Sequence, residues 1–307
     1  METFISAAII AAIPILYATL GEILTEKVGN LNLGVEGMML IGAVVGFTVA
    51  MSSGIPVLAI TMAFLAGLLA AALYALLTVT LRVNQVVTGL TLTIFGTGFA
   101  GLVGKKVIGK ALPADFKEAF DVIPIPGLSE IPILGAFFNQ DVMVYCAYVL
   151  VIAMLLFFNK SQIGLNTKAV GENPGAADAS GINVTLYKYA NILIGGGLCG
   201  LGGAYMSIVY IGIWQDNIVA GRGWIAVALV IFASWRPIKA FVGALLFGAL
   251  GILGFRLQAM GIHFSQYIID MVPYIATIVI VILSTHKNKK EDQPPQGLSV
   301  SYFREDR

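Results

Sequence analysis

The sequence predicts an all-α, multi-span membrane protein, and three observations predict it. Of 307 residues, 58% are hydrophobic and only 11% are charged, against roughly 25% charged in a soluble domain. The mean hydropathy is +0.89. Apolar runs of the length a helix needs to cross the hydrocarbon core, about 20 residues, recur along the whole chain. Net charge is +1, and the sole cluster of like charge, Lys287, Lys289 and Lys290, is too small to suggest a nucleic-acid partner.

About nine helices follow from that length rule, together forming a transmembrane domain over 1–285. The first, 4–20, begins in METFISAAII, which has neither a basic leading region nor a small-residue cleavage motif, so it is expected to be a retained span. The second, 31–51, and the fourth, 84–104, are interrupted by glycine; the third is 55–80. A loop at 105–140 follows, in which prolines 113, 124, 126 and 132 predict an interfacial or partly re-entrant structure. The fifth span, 141–158, leads into a polar loop at 159–185 and then a sixth at 186–211. The seventh, 224–235 with its flanks, is short; the eighth and ninth are 239–258 and 267–284, and a polar tail occupies 286–307.

Basic residues in short loops set the orientation. With the basic tail inside, alternation places Lys27, Arg82, Lys160, Lys168, Arg236 and Lys239 inside as well, and the N-terminus, with Glu2 and no nearby Lys or Arg, outside. The 105–140 loop objects, since Lys105, Lys106, Lys110 and Lys117 then fall on the outer side, mixed with Asp115, Glu118, Asp121 and Glu130. Gly196, Gly200 and Ala204 recur every four residues, as do Gly42 and Gly46, which suits close helix packing. The run Gly195-Gly196-Gly197 fits packing or a helix that flexes. Cys146 and Cys199 lie in apolar runs and are expected as buried small hydrophobes rather than a disulfide. His263 and His286 lack ligand-like neighbours, so no metal is expected.

An ionisable group near mid-bilayer costs about 2.5–3.5 kcal/mol on insertion scales, so each asks for a reason. Glu36 is the clearest, four residues after Asn32, a spacing that puts both on one helical face. They would line a pathway or, as the sequence slightly favours, cap amides freed near Gly34 and Gly37 in a broken helix. Asn84, Gln85, Thr88, Thr91, Thr93 and Thr97 make the fourth span unusually polar. They suggest a hydroxyl and amide stripe for a neutral, hydrogen-bonding solute, or interhelical bonds. Asn191, Ser207, Thr277 and Tyr274 are weaker candidates. Aromatic belts explain the tryptophans of WQDNIVAGRGW, from Trp214 to Trp224, and snorkelling explains Arg256 and Asp270 near their span ends.

The stretch NTKAVGENPGAADASGINV, 166–184, contains a helix start at Asn173-Pro174, a short alanine helix from Gly175 to Ser180 and a stop at Gly181. So short a helix needs something to pack against. Small side chains suit a groove on another protein, with Lys168, Glu172 and Asp178 free at its rim, although the residues alone favour an ordinary connector.

Five segments change that weighting: GNLNLGVEGMMLIGA at 29–43, NQVVTGLTLTIFGTG at 84–98, GLNTKAVGENPGAADASGINV at 164–184, GGGLCGLGGAYMSI at 195–208 and GRGWIAVALVIFASWRP at 221–237. In these the chain resembles permease subunits of ATP-binding-cassette (ABC) importers of the ribose and branched-chain amino-acid permease superfamily, and most closely the nucleoside branch. The resemblance implies a coupling helix at the Gly-Glu-Asn-Pro loop that docks into a cytoplasmic ATPase, and assigns that role to Lys168, Gly171, Glu172, Asn173, Pro174, Ala176, Ala177, Asp178 and Gly181. Arginine is expected more often where Lys168 stands, which touches that one contact. Implied partners are a separate ABC ATPase, a second and longer permease subunit in a heterodimer, and an extracytoplasmic substrate-binding lipoprotein, with Asp216, Asn217 and Arg222 as contacts of that protein or of the incoming solute. The implied location is the bacterial plasma (inner) membrane. No cofactor is expected in this chain: Gly101-Leu-Val-Gly104-Lys105-Lys106 lacks the spacing of a phosphate loop, so ATP and magnesium belong to the ATPase. The cargo implied is a nucleoside, with riboflavin or a simple sugar as alternatives. A lone ion-coupled carrier is the rival, for which Glu36 is the sole strong coupling residue. No enzyme motif is present.

Overall fold

The computed structural model describes residues 2–259, 271–272, 275–279, 282 and 293–304. The chain folds as a helical bundle in which polar residues punctuate apolar helices. Helix α1 (Glu2–Lys27) is continuous through Pro14, and an irregular segment at 28–34 joins it to α2 (Val35–Ser53). Gly54 closes α2 in the left-handed conformation, at φ 65°, and Pro56 opens α3 (Pro56–Ala75), which ends in a π-helical turn, Leu76–Thr80. That pairing of C-terminal glycine with N-terminal proline follows from the φ freedom of one and the missing N–H of the other. Asn84 caps α4 (Gln85–Gly104) by accepting from the Val87 amide at 3.0 Å.

Residues 105–141 form a cap rather than a span. They contain α5 (Ala114–Glu118) and a two-stranded antiparallel pair, β1 (Ile123–Pro124) with β2 (Asn139–Gln140), separated by a 3-10 turn at Leu134–Phe138. The cap is tied to the first turns of α1, where Ile133 N donates to Glu2 and Gln140 Nε2 to Ser6. It is also tied to the chain at Gly212, whose carbonyl accepts from Leu112 N. Its prolines and opposed charges therefore mark a folded loop, and among the described residues paired strands occur only here.

Asp141 caps α6 (Val142–Lys160), Ser161 caps α7 (Gln162–Glu172), Asn173 caps α8 (Pro174–Ala179) and Asn183 caps α9 (Val184–Tyr205), each accepting from a first-turn amide. Such caps satisfy donors that a helix start leaves open. A second π-helical turn, Met206–Ile211, extends α9; α10 (Arg222–Phe232) and α11 (Pro237–Ala259) complete the described helices.

Among the described residues seven helices are long and apolar enough to cross a membrane, at 2–27, 35–53, 56–80, 85–104, 142–160, 184–211 and 237–254. The expected seventh span is α10, of 11 residues, about 16 Å at 1.5 Å per residue and about half a hydrocarbon core. The expected ninth span lies mostly outside the described residues, as do Asp270, Tyr274, both histidines and Lys287, Lys289 and Lys290.

Helix α9 sits at the centre, against α1, α2 and α3, and its small residues decide how close they come. A methyl on Gly200 would overlap the Ala63 carbonyl, one on Gly42 the backbone of Gly200, and one on Gly203 the Met39 carbonyl. Each glycine of the 195–197 run meets a different neighbour: Gly21 and Thr25 for Gly195, Ala71 for Gly196, Phe64 for Gly197. The run is packing surface on several sides. In lipid, where apolar burial gives no preference for protein over tails, such close backbone approach is what holds helices together. Cys199 is buried here, but Cys146 is exposed, because α6 is peripheral and turns one side outward.

Candidate functional site

Among the described residues, three of the polar constructions inside this apolar bundle contain the expected site residues or fasten the elements that carry them, and the first centres on Glu36. Asn32 and Glu36 do not share a helical face, because 28–34 is irregular and α2 begins at Val35. Asn32 instead turns back on its own loop, with Oδ1 accepting from Gly34 N at 2.9 Å. Glu36, 5% exposed, reaches across the sequence: Oε1 accepts from Gly221 N at 2.8 Å and Oε2 from Gly223 N at 2.7 Å. The carboxylate thus caps the N-terminus of the half-length helix α10, where amide donors and the helix dipole favour negative charge. Capping is the arrangement, but the amides belong to α10 rather than to the neighbourhood of Gly37. A Cβ on Gly223 would lie 2.5 Å from Glu36 Cα, so glycine there is what lets the two elements meet.

The second construction has little sequence signal. Glu22 and Glu26, on adjacent turns of α1, are both fully buried, so Glu36 is not the sole intramembrane carboxylate. Glu22 Oε1 accepts from Asn32 N at 2.9 Å, and Glu26 Oε2 from the Trp235 indole at 2.6 Å. They fasten the irregular segment and the end of α10 to α1. The i,i+4 carboxylates of GEILTE were the visible clue, masked by the nearby Lys27, which reads as a loop start.

The third is α4, whose six polar residues do not form one stripe. Asn84 is the cap; Gln85 Oε1 accepts from Leu31 N at 2.8 Å, and Thr93 donates to the Leu33 carbonyl at 2.9 Å, both pinning the 28–34 segment. Thr88, Thr91 and Thr97 donate to carbonyls one turn back in their own helix. Thr88 is buried while Thr91 and Thr97 are exposed. On the outward side of α2, α3 and α4 lie two adjoining hollows, of about 480 and 270 Å³, sharing Leu73 and Phe95. Phe95 and Phe99 are stacked at 6.2 Å, Thr88 and Thr91 line the smaller hollow, and among the described residues no charged side chain lines either. Asn191 and Ser207 are spent on packing, with Asn191 Nδ2 donating to the Tyr187 carbonyl and Ser207 to that of Ala43. Thr277 is half-buried.

At the end of the bundle where α1 finishes, α7 and α8 pack on this same chain. Asn173 Oδ1 accepts from Ala176 N at 3.0 Å, and Gly181 follows α8 at φ 82°. Ala177 is 4% exposed, in a small core with Val28, Val170 and Val184. Gly171 is buried against the end of α1, where a methyl would overlap the Lys27 carbonyl. The residues expected free at the rim are engaged. The C-terminal segment returns to this spot: Gly297 N donates to the Gly171 carbonyl, Gln296 N to Glu172 at 3.3 Å, and Tyr302 OH to Asp178 at 2.8 Å, with Arg304 3.2 Å from the same carboxylate. Lys168 lies 5.8 Å over the Phe158 ring, and its partial burial pulls the ammonium below its usual range. Left exposed are Glu172, Asn173, Ala176, Ala179, Ser180 and Gly181. A short helix needs a partner, and this one has its own chain on one face and an open face opposite.

The 212–222 loop runs from the end of α9 to the Glu36 cap. Trp214 is no interfacial residue: it is 1% exposed, 5.8 Å from Phe47 and closely set against Gly104. Asp216 and Asn217 are exposed, whereas Arg222 is half-buried, donating to the Val219 carbonyl at 3.2 Å and lying 5.8 Å over Tyr210. Arg256 is exposed, its guanidinium 6.0 Å over Phe4.

Residues 4–283 match the family described as branched-chain amino acid transport system permease component. The chain is 36% identical to a putative glucose ABC transporter permease of Haloferax volcanii, over 98% of this chain and 97% of that one. It is 33% identical to a guanosine ABC transporter permease of Bacillus subtilis over 91% of each chain. A nucleoside ABC transporter permease of Lactococcus lactis is 32% identical to it over 92% of each.

Proposed function

The chain belongs to the permease-component family of branched-chain amino acid type transport systems and is a membrane-embedded ABC importer permease, and from that premise we propose that its cargo is a nucleoside. The observation that carries this is full-length likeness to permeases named for guanosine and for nucleosides. The uncharged hollows beside α4 suit such a solute, since Phe95 and Phe99 offer faces for a heterocycle and Thr88 and Thr91 keep acceptor lone pairs for hydroxyls. Glucose is the second reading, favoured by the 36% identical Haloferax relative.

In this reading α7, α8 and the returning tail face the cytoplasm, where the basic residues of that end belong. The exposed face of α8, through Ala176, Ala179 and Ser180, seats in a separate ATPase that holds ATP and magnesium. The apolar outward faces of α3 and α4, with Leu65, Leu69, Ile94 and Phe95 exposed, meet a second permease subunit across the pathway. Asp216 and Asn217 on the opposite end meet the substrate-binding protein. Closure of the ATPase moves α8; the rigid α7–α1 contacts carry that motion to the Glu22 and Glu26 fastening and to α10, and the pathway alternates. The solute is not chemically changed. The test is competition in proteoliposomes holding the whole complex: excess unlabelled guanosine or uridine abolishes labelled uridine uptake and glucose does not. ATP-dependent uptake of labelled glucose with none of labelled uridine reassigns the cargo.

A further inference from the structure

Between the start of α9, the π-helical turn of α3 and the C-terminal segment lies a cavity of about 440 Å³ that the transport reading does not use. Among the described residues its walls carry Arg82, Lys188 and Arg304 together with Asp178, which accepts from Tyr302 and pairs with Arg304. Lys188 is 4% exposed, and among the described residues no acceptor or carboxylate meets its ammonium. Its stem is buried while its ammonium opens on the cavity, and a cation held on a polar cavity wall with no protein acceptor favours an anion there. The rest of the wall fits one. Val184 and Thr185, the first two residues of the 22-residue α9, line the cavity, which places the positive end of that helix dipole on it. Thr78 and Thr185 add hydroxyls. Arg82 is held 4.5 Å over the Phe303 ring, so the returning tail positions this guanidinium as well as supplying Arg304.

We propose that this cavity binds a phosphate-bearing anion, with the Lys188 ammonium as its innermost donor and Arg82 and Arg304 at its mouth. Its volume lies in the range of small-molecule sites, about 300–1,000 Å³, which leaves room for the group that carries the phosphate. That carrier is either a soluble phosphorylated metabolite or the headgroup of an anionic phospholipid. The site stands independently of the cargo assignment. Because the tail and Asp178 of α8 form part of its wall, occupancy stabilises the tail on the coupling element.

The experiment is thermal unfolding of the full chain in nanodiscs. One arm titrates glycerol 3-phosphate in phosphatidylcholine discs at constant ionic strength; the other compares phosphatidylcholine discs with discs containing phosphatidylglycerol. Saturable stabilisation by glycerol 3-phosphate identifies a soluble ligand, and stabilisation by phosphatidylglycerol a lipid one. In either case Lys188→Met is expected to raise the half-saturating concentration, or the lipid fraction required, by about tenfold or more, the weight of one charge-assisted bond. Lys188→Arg restores binding. Arg304→Ala, at an exposed position, weakens it too. Stabilisation by neither probe overturns the proposal, as does stabilisation that Lys188→Met and Arg304→Ala leave unchanged. Failure of both probes with loss of ATPase binding in Lys188→Met overturns it in favour of a protein carboxylate at this site.

Discussion

Replacing Glu36 by glutamine tests whether the half-length helix α10 is held at its start by a buried carboxylate. Each oxygen accepts one backbone N–H, at 2.8 Å from Gly221 and 2.7 Å from Gly223, so both acceptors of a carboxylate are in use. Glutamine keeps one oxygen and turns an amide NH2 toward the other donor. One bond to a charged group is lost, the other loses its charge assistance, and one N–H is left buried without an acceptor. A hydrogen bond to a charged group contributes about 1.5–3 kcal/mol, and an orphaned buried donor costs about 1–3. Allowing for overlap between these terms, Glu36→Gln is expected to destabilise the fold by about 3 kcal/mol, roughly a hundredfold in the folded-to-unfolded ratio. Equilibrium unfolding in mixed micelles, followed by tryptophan fluorescence, measures it. A change under about 0.5 kcal/mol, the scale of an uninvolved surface substitution, would refute the capping argument. If transport were abolished at that unchanged stability, Glu36 would belong to an ion-coupling device.

Three further outcomes follow from the same geometry. Gly223→Ala pushes a methyl onto the Glu36 backbone and is expected to cost about 2–3 kcal/mol, as overpacking does, with Glu36→Ala failing to rescue it because the clash is with main chain; unfolding of the single and double variants checks this. Ala176→Trp, on the exposed face of α8, is expected to leave the unfolding midpoint of the isolated chain unchanged and to abolish ATPase binding. Ala177→Trp, at a buried position, is expected to lower that midpoint, and equal midpoints for the two variants would contradict the assigned faces. Tyr302→Phe removes the 2.8 Å bond to Asp178 and is expected to cost about 1 kcal/mol, read as faster proteolysis of the tail with the helical bundle intact.

Most of the long helices were legible in the sequence because hydrocarbon thickness sets their length and composition their class. The expected boundaries failed where polar residues act at a distance. Asn32 and Glu36 looked like helical neighbours because spacing reports only local geometry, and nothing within ten residues announces that Glu36 serves Gly221 and Gly223. The α4 threonines read as a stripe, yet Gln85 and Thr93 bond to a segment more than fifty residues earlier, while Thr91 and Thr97 turn outward. The short helix at 174–179 was legible from Asn173 and Pro174, which are local signals; its engagement by Tyr302 and Arg304 was not, since a polar tail carries no periodicity to reveal its docking place. Lys188 was hidden in plain view as one cation in an apolar run.

The most direct test of the account is uptake of labelled uridine into proteoliposomes containing this chain with its second permease, ATPase and binding protein, with ATP inside the ATPase compartment or absent. Uptake that requires ATP, ignores dissipation of ion gradients and disappears in Ala176→Trp is the predicted result. Uptake that proceeds without ATP and collapses with an ion gradient would contradict it.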